Sequence, residues 1–339
     1  MRNLKPVKVG NCTLDGSHIY IQSMLNTRSD DIVGSVAQAG CEIVRAAIPN
    51  HEAIALIPAI KEKISIPLVA DIHFDYRLAL EAAEAGIDKI RINPGNIGGM
   101  SRVQAVVKAC QARNIPIRIG VNSGSLEKEI LAKYGAPTAE ALVESAMGHV
   151  QMLEACGFDD IVISMKSSDV NTMIDAYRLC AQQCSYPLHL GVTEAGTERM
   201  GLIKSAIGIG SLLHDGIGET IRVSLTEDPV KEIKAARDIL KCIGKRGGPQ
   251  IVSCPTCGRT RIDLVKTAKE VEAALENVDK DIKVAVMGCV VNGPGEAREA
   301  DIGIAGGDGC AMLFRKGTVL RKVAEEDIVP ELMAEIEKL

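Results

Sequence analysis

From Ile19 to Thr226 one rhythm governs the chain, and it admits few folds: short runs rich in Ile and Val alternate with longer stretches of Ala, Leu, Glu and Lys. The short runs are IYIQSM (Ile19 to Met24), CEIVRAAI (Cys41 to Ile48), PLVADIH (Pro67 to His73), DKIRINPG (Asp88 to Gly95), PIRIGVN (Pro116 to Asn122), DIVISMK (Asp160 to Lys166), PLHLGVT (Pro187 to Thr193) and TIRVSLT (Thr220 to Thr226), eight in all. Runs of this length read as strands, and the apolar-periodic segments between them as helices. The segments RLALEAAEAG and RVQAVVKACQARN stop at Gly86 and Asn114, residue types that accept the left-handed conformation closing a helix. Eight such βα units in about 240 residues predict an α/β protein built on a (β/α)8 TIM barrel. An open doubly wound sheet is the competing architecture, but no GxGxxG follows the first strand.

After the helical stretch DPVKEIKAARDILKCIG, the segment KRGGPQ breaks the rhythm with Gly and Pro. The division expected there gives a substrate-binding barrel over 1–245 and a small α+β module over 246–339. The module reads as a strand (IVS), a helix (DLVKTAKEVEAALENV), a strand (IKVAVMG), short strands around ADIGIAG, CAMLFRKG and TVLRKVA, and a final helix.

The net charge of −5 gives no field for a nucleic acid or an anionic membrane, so any anion site must be local. With no Trp and three Phe there are few platforms for base stacking. No stretch of eighteen apolar residues occurs, and the N-terminal segment lacks an apolar core with a cleavage site, which predicts a cytoplasmic protein. Eleven cysteines in that compartment are expected as core thiols, metal ligands or redox groups.

In a barrel, the C-terminal ends of the strands face the active site. Those ends carry Arg45, then Asp71 and His73, Arg91 and Asn93, Arg118 and Asn122, Ser164 and Lys166, His189 and Glu194, and finally Arg222 and Ser224. Five cations aimed into one mouth would repel unless a polyanion compensates them, which points to phosphate or diphosphate. Glu194 suits proton transfer, or serves as counter-ion to Arg118 or Arg222. His73 and His189 read as donors to substrate or as satisfied core histidines. The glycine-rich GIGSLLHDGIGE is a weak phosphate-loop signal.

The stretch SCPTCGRTR holds Cys254 and Cys257 as a metal knuckle, and Cys289 follows in GCVVNGPGEA. A zinc ribbon would bring a second CxxC, which the chain lacks. Three thiolates leave a fourth position for the carboxylate of Glu296, as in an iron–sulfur centre with one labile iron, or for Cys310. The other seven cysteines, Cys180 and Cys184 among them, fall in barrel elements where packing is their default role. A phosphate-substrate aldolase or isomerase carrying a structural zinc is the alternative enzyme, and a non-catalytic metal scaffold leaves the cations unexplained.

The motifs IQSMLNT, EIVRAAIP, ADIHF, KIRINPGNIG, PIRIGVNSGSL, ISMKSSDV, HLGVTEAG, GIGETIRVSLT, SCPTCGRT and GCVVNGPGEA together resemble the bacterial 4-hydroxy-3-methylbut-2-en-1-yl diphosphate synthase family, in its two-domain form, along essentially the whole chain. The resemblance implies reductive ring opening and dehydration of 2-C-methyl-D-erythritol 2,4-cyclodiphosphate, a late step of isoprenoid synthesis. It implies a [4Fe-4S] cluster on Cys254, Cys257, Cys289 and Glu296, with electrons from flavodoxin or ferredoxin. It also implies that Arg45, Arg91, Asn93, Arg118, Asn122, Lys166, Arg222 and Ser224 hold the cyclic diphosphate, Glu194 does acid/base work, and Asn292 lies near cluster and substrate. Members are similar in being homodimers whose cluster module closes over the partner's barrel. Two departures, Leu25 for Thr and Glu219 for Asp, touch none of these ligands.

Overall fold

The computed structural model describes residues 2–25, 37, 40–290 and 298–339. They divide into two compact units, Met1–Ile243 and Gly244–Leu339. The first opens with a hairpin of β1 (Val7–Val9) and β2 (Cys12–Leu14), whose two-residue turn places Gly10 at φ 55°. Eight parallel strands follow: β3 (Tyr20–Met24), β4 (Ile43–Ala47), β5 (Leu68–Asp71), β6 (Lys89–Ile92), β7 (Ile117–Asn122), β8 (Ile161–Lys166), β9 (His189–Leu190) and β10 (Thr220–Ile221). They pair in sequence from β3 to β8, and β10 lies between β9 and β3. A parallel bridge from Ile163 to Leu188, with the Ile163 N–H donating to the Pro187 carbonyl at 2.9 Å, joins β8 to β9 and closes the barrel. Each of the eight expected strands is present; the helices before Gly86 and Asn114 end where those residues adopt φ 85° and 54°.

Strand alternation divides the barrel chemically. Outward residues such as Val44, Ala70, Ile90, Ile119 and Ile163 join the surrounding helices in one large apolar cluster. Inward, the lowest layer is apolar: Val162 packs on Val7, Val9 and Leu14 of the hairpin, and Ile43 and Val69 pack on Cys12. The hairpin is thus the floor of the barrel. Above it, where many barrels carry branched apolar residues, this one places Gln22, Lys89, Arg118, His189 and Thr220, all buried.

The second unit is a sheet in the order β11 (Gln250–Ser253), β12 (Lys283–Met287), β13 (Ile302–Gly307), β14 (Cys310–Arg315) and β15 (Thr318–Ala324). The first three are parallel and the last two antiparallel. The helices Leu264–Leu275 and Ile328–Glu337 cover one face, burying Val271, Leu275, Leu332 and Ile336 against Val284, Val286, Ile302 and Ile304.

Candidate active site

Arg45 from β4, Arg91 from β6, Arg118 from β7 and Arg222 just past β10 all lie within electrostatic reach of Lys166 at the end of β8. Asp71, the last residue of β5, stands among them. Arg91 donates from Nη1 to Asp71 Oδ1 at 3.0 Å, while Arg45 Nε and His73 Nε2 stand 3.7 and 3.6 Å from Oδ2. Burial alone would raise this carboxyl; Arg45, the His73 contact, Arg91 and Arg118 outweigh it and hold Asp71 well below the usual carboxylate range. Burial and the neighbouring Arg222 and Arg91 lower Arg45 to about 10 in spite of Asp71.

Arg222 takes a different acid. Its Nη2 and Nε reach Glu232 at 3.3 and 3.4 Å, from the first turn of the helix Pro229–Cys242. Glu232 also accepts from Ser23 Oγ at 3.1 Å and the Leu225 N–H at 3.0 Å. Arg118 is fully buried, yet none of its three guanidinium nitrogens has a hydrogen-bond partner among the described residues. Burial, then Arg45 and Arg91, pull it well below its ordinary value; burial, Arg45 and Arg222 do the same to Lys166. Beneath the rim the Lys89 ammonium is also buried without a partner among the described residues. Among the described residues two carboxylates therefore balance only part of the positive charge at this end of the barrel, and an anion carrying two charges would find unspent donors there.

Glycine makes the crowding possible at two strand ends. A Cβ on Gly120 would fall 2.1 Å from Arg91 Nε, and one on Gly191 would fall 2.7 Å from the Arg222 carbonyl and 3.1 Å from Lys166 Nζ. Among the polar residues, Asn93 accepts from the Gly95 N–H at 3.1 Å, Ser164 donates to the Ile119 carbonyl at 3.2 Å, and Asn122 and Ser224 are half-buried. His73 is exposed. His189 lies wholly inside: Nδ1 meets Thr220 Oγ1 at 2.9 Å, Nε2 has no partner among the described residues, and burial followed by Arg118 and Lys166 keeps the imidazole neutral. Glu194 is exposed in the left-handed region, φ 50°, a conformation that non-glycine residues seldom hold without a local reason. Of the two arginines for which it was the expected counter-ion, Arg222 is on Glu232.

In the second unit, β11 and β12 are parallel neighbours, so their C-terminal ends bring Cys254 and Cys289 together. With Cys257 they line a cavity of about 100 Å³, completed by Pro255, Arg259, Thr260 and Gly288. The Gly288 N–H donates to Cys254 Sγ at 3.2 Å. The Arg259 N–H, then its side chain, lower the exposed Cys257 thiol. N–H groups aimed at sulfur favour thiolate, the form a soft metal centre takes. Cys310, which opens β14, does not line this cavity. Asn292 and Glu296 lie outside the described residues, among which no three Cys, His, Asp or Glu side chains form a closed ligand set.

The description "GcpE TIM-barrel domain" matches residues 4–237 and "GcpE protein C-terminal domain" matches residues 250–338. The chain belongs to the GcpE family. A relative from Clostridium perfringens named 4-hydroxy-3-methylbut-2-en-1-yl diphosphate synthase (flavodoxin) is 61% identical over 100% of this chain and 99% of its own. Relatives of the same name from Clostridium acetobutylicum and Geobacillus kaustophilus are 58% and 57% identical over 99% of this chain and 98% and 92% of theirs. Among solved structures, dihydropteroate synthase from Thermus thermophilus aligns with a TM-score of 0.52 at 12% identity, over 70% of this chain and 98% of that one, a likeness of fold alone.

Three buried groups in this GcpE chain escaped sequence reasoning. Lys89 shares a strand face with Arg91, so period-two alternation could have found it. Gln22 carried the same signal in β3. Glu232 gave none: DPVKE reads as an ordinary acidic first turn, and nothing local tells that this acid faces a strand-end arginine.

Proposed function

We propose that this GcpE member reductively opens 2-C-methyl-D-erythritol 2,4-cyclodiphosphate to (E)-4-hydroxy-3-methylbut-2-enyl diphosphate. The reaction takes up two electrons and two protons, breaks the ring C–O bond and releases water. The observation that carries the reading is the surplus of buried positive charge at one end of the barrel, centred on Arg118, that has no partner among the described residues. Arg45, Arg91, Arg118, Lys166 and Arg222 bind the diphosphate, with Asn93, Asn122, Ser164 and Ser224 supplying neutral donors. Asp71 holds Arg45 and Arg91 in place, so their guanidinium groups are oriented before the anion arrives. His189, neutral and recessed, offers a polar wall without adding charge. Glu194 and His73, both exposed, move protons at the departing oxygen.

The donor set in the second unit fits a [4Fe-4S] cluster: Cys254, Cys257 and Cys289 would hold it with Glu296 as the fourth ligand, and Asn292 stands four residues before Glu296. Such a cluster, when bound, passes single electrons from flavodoxin or ferredoxin to the substrate. In the homodimer the cluster module of one subunit serves the partner's barrel. A cytoplasmic setting accords with the free cysteines.

The reading is tested by oxygen-free purification with iron, sulfide and zinc quantified together, followed by turnover of the cyclic diphosphate with a chemical reductant. About four iron and four sulfide per chain and reductant-dependent product are expected. Stoichiometric zinc without sulfide, and no product, would overturn it.

A further inference from the structure

Behind the rim, three elements meet at one carboxylate. Glu127 ends the loop that follows β7 and precedes the helix Lys128–Tyr134. Ser145 and His149 lie one turn apart on the helix Ala139–Glu154, both buried. Gly95 lies two residues beyond Asn93, in the short helix Pro94–Ile97 that follows β6. Ser145 Oγ donates to Glu127 Oε2 at 2.8 Å, and His149 Nε2 is 2.7 Å from Oε1. Burial would raise the Glu127 carboxyl, but the His149 and Ser145 bonds and its own backbone N–H bring it down to about 2. An ionised carboxylate only accepts, so the proton of the His149 contact sits on Nε2.

Gly95 rests on this pair. A Cβ there would come 3.0 Å from Glu127 Oε1, 3.2 Å from His149 Nε2 and 3.3 Å from Asn93 Oδ1. The Gly95 N–H in turn donates to Asn93 Oδ1 at 3.1 Å. With its oxygen engaged, the Asn93 amide has its two N–H donors left for another partner. Reversed, the same amide would offer a carbonyl oxygen to an anion.

We propose that the Glu127–His149 pair is a positioning device for the diphosphate site: it seats the Gly95 turn so that Asn93 presents N–H groups to the anion. The inference rests on the reading of the rim as a diphosphate site. Because Glu127 is five residues past Asn122, the same pair anchors the β7 loop as well.

The test compares wild type with Glu127→Gln, His149→Phe and Gly95→Ala. Binding of inorganic diphosphate is measured by calorimetry, and KM and kcat with the cyclic diphosphate. Gly95→Ala lifts the turn off the pair while leaving both members in place, which covers the case that either of the other two folds poorly. Expected are about tenfold weaker diphosphate binding and a tenfold higher KM, the scale of a hydrogen bond to a charged group, with kcat within about twofold. Adding Asn93→Ala to any of the three should cost nothing further, since both changes remove one interaction. Losses that multiply in the double variants, or variants that melt earlier while diphosphate affinity is untouched, would overturn the inference. A wild type that binds inorganic diphosphate but never turns over the cyclic diphosphate would sink the proposed reaction, and the binding comparison would still decide the role of the pair.

Discussion

At Asp71 one buried carboxylate faces the guanidinium of Arg91 at 3.0 Å and that of Arg45 at 3.7 Å. Removing one partner of a buried ionic group leaves the other's charge uncompensated, which typically costs about 3–5 kcal/mol. Asp71→Asn is therefore expected to lower unfolding free energy in urea by that order at neutral pH. The pH dependence follows from the direction of the shift. The folded-state value lies below the unfolded one, so the contribution is complete above about pH 4 and drains away as acid protonates first the unfolded chain and then the native carboxylate. Wild-type stability should fall below that point, and Asp71→Asn should flatten the fall. Equal acid slopes for both proteins would show that Asp71 does not carry the linkage.

At the scale of elements, the β1–β2 hairpin seals the barrel through Val7, Val9 and Leu14 packed on Val162. Leu14→Ala should cost about 2–5 kcal/mol in chemical denaturation; a loss under 1 kcal/mol would mean the floor collapses freely around the gap. This hairpin was hidden in the sequence by its size. Strands of three residues are too short for alternation to stand out, although the Gly10–Asn11 turn was a hairpin signal. The eight barrel strands were legible because long helices separate them and their ends carry punctuating residues such as Gly86 and Asn114. All are shorter than their apolar runs, and two shrink most: β9 keeps only His189–Leu190 and β10 only Thr220–Ile221, where Lys166 and Arg222 crowd Gly191. The cations were legible for the same reason of period, each falling on an inward position, although Arg118, expected at a strand end, is the second residue of β7 and lies deeper in the barrel. Their partner Glu232 was not, because it arrives from a helix, where the period of two carries no information.

Taken whole, the chain carries a net charge of −5 while concentrating inside one barrel cations that have no partner among the described residues. Its two units are joined through the segment that begins at Gly244 (φ 66°), with Lys245 exposed. Brief digestion with trypsin should cut first after Lys245 and yield fragments 1–245 and 246–339 by mass spectrometry; early cuts inside β4 to β8 would mean that the barrel is less closed than its ladder implies. The sealed floor has a kinetic side. Among the described residues, Val7, Val9 and Leu14 stop the barrel at the end away from the cations. If the rim arginines hold the diphosphate as proposed, substrate and product compete for the same cations. Product is then expected to inhibit competitively against the substrate, which initial rates measured with added product would check.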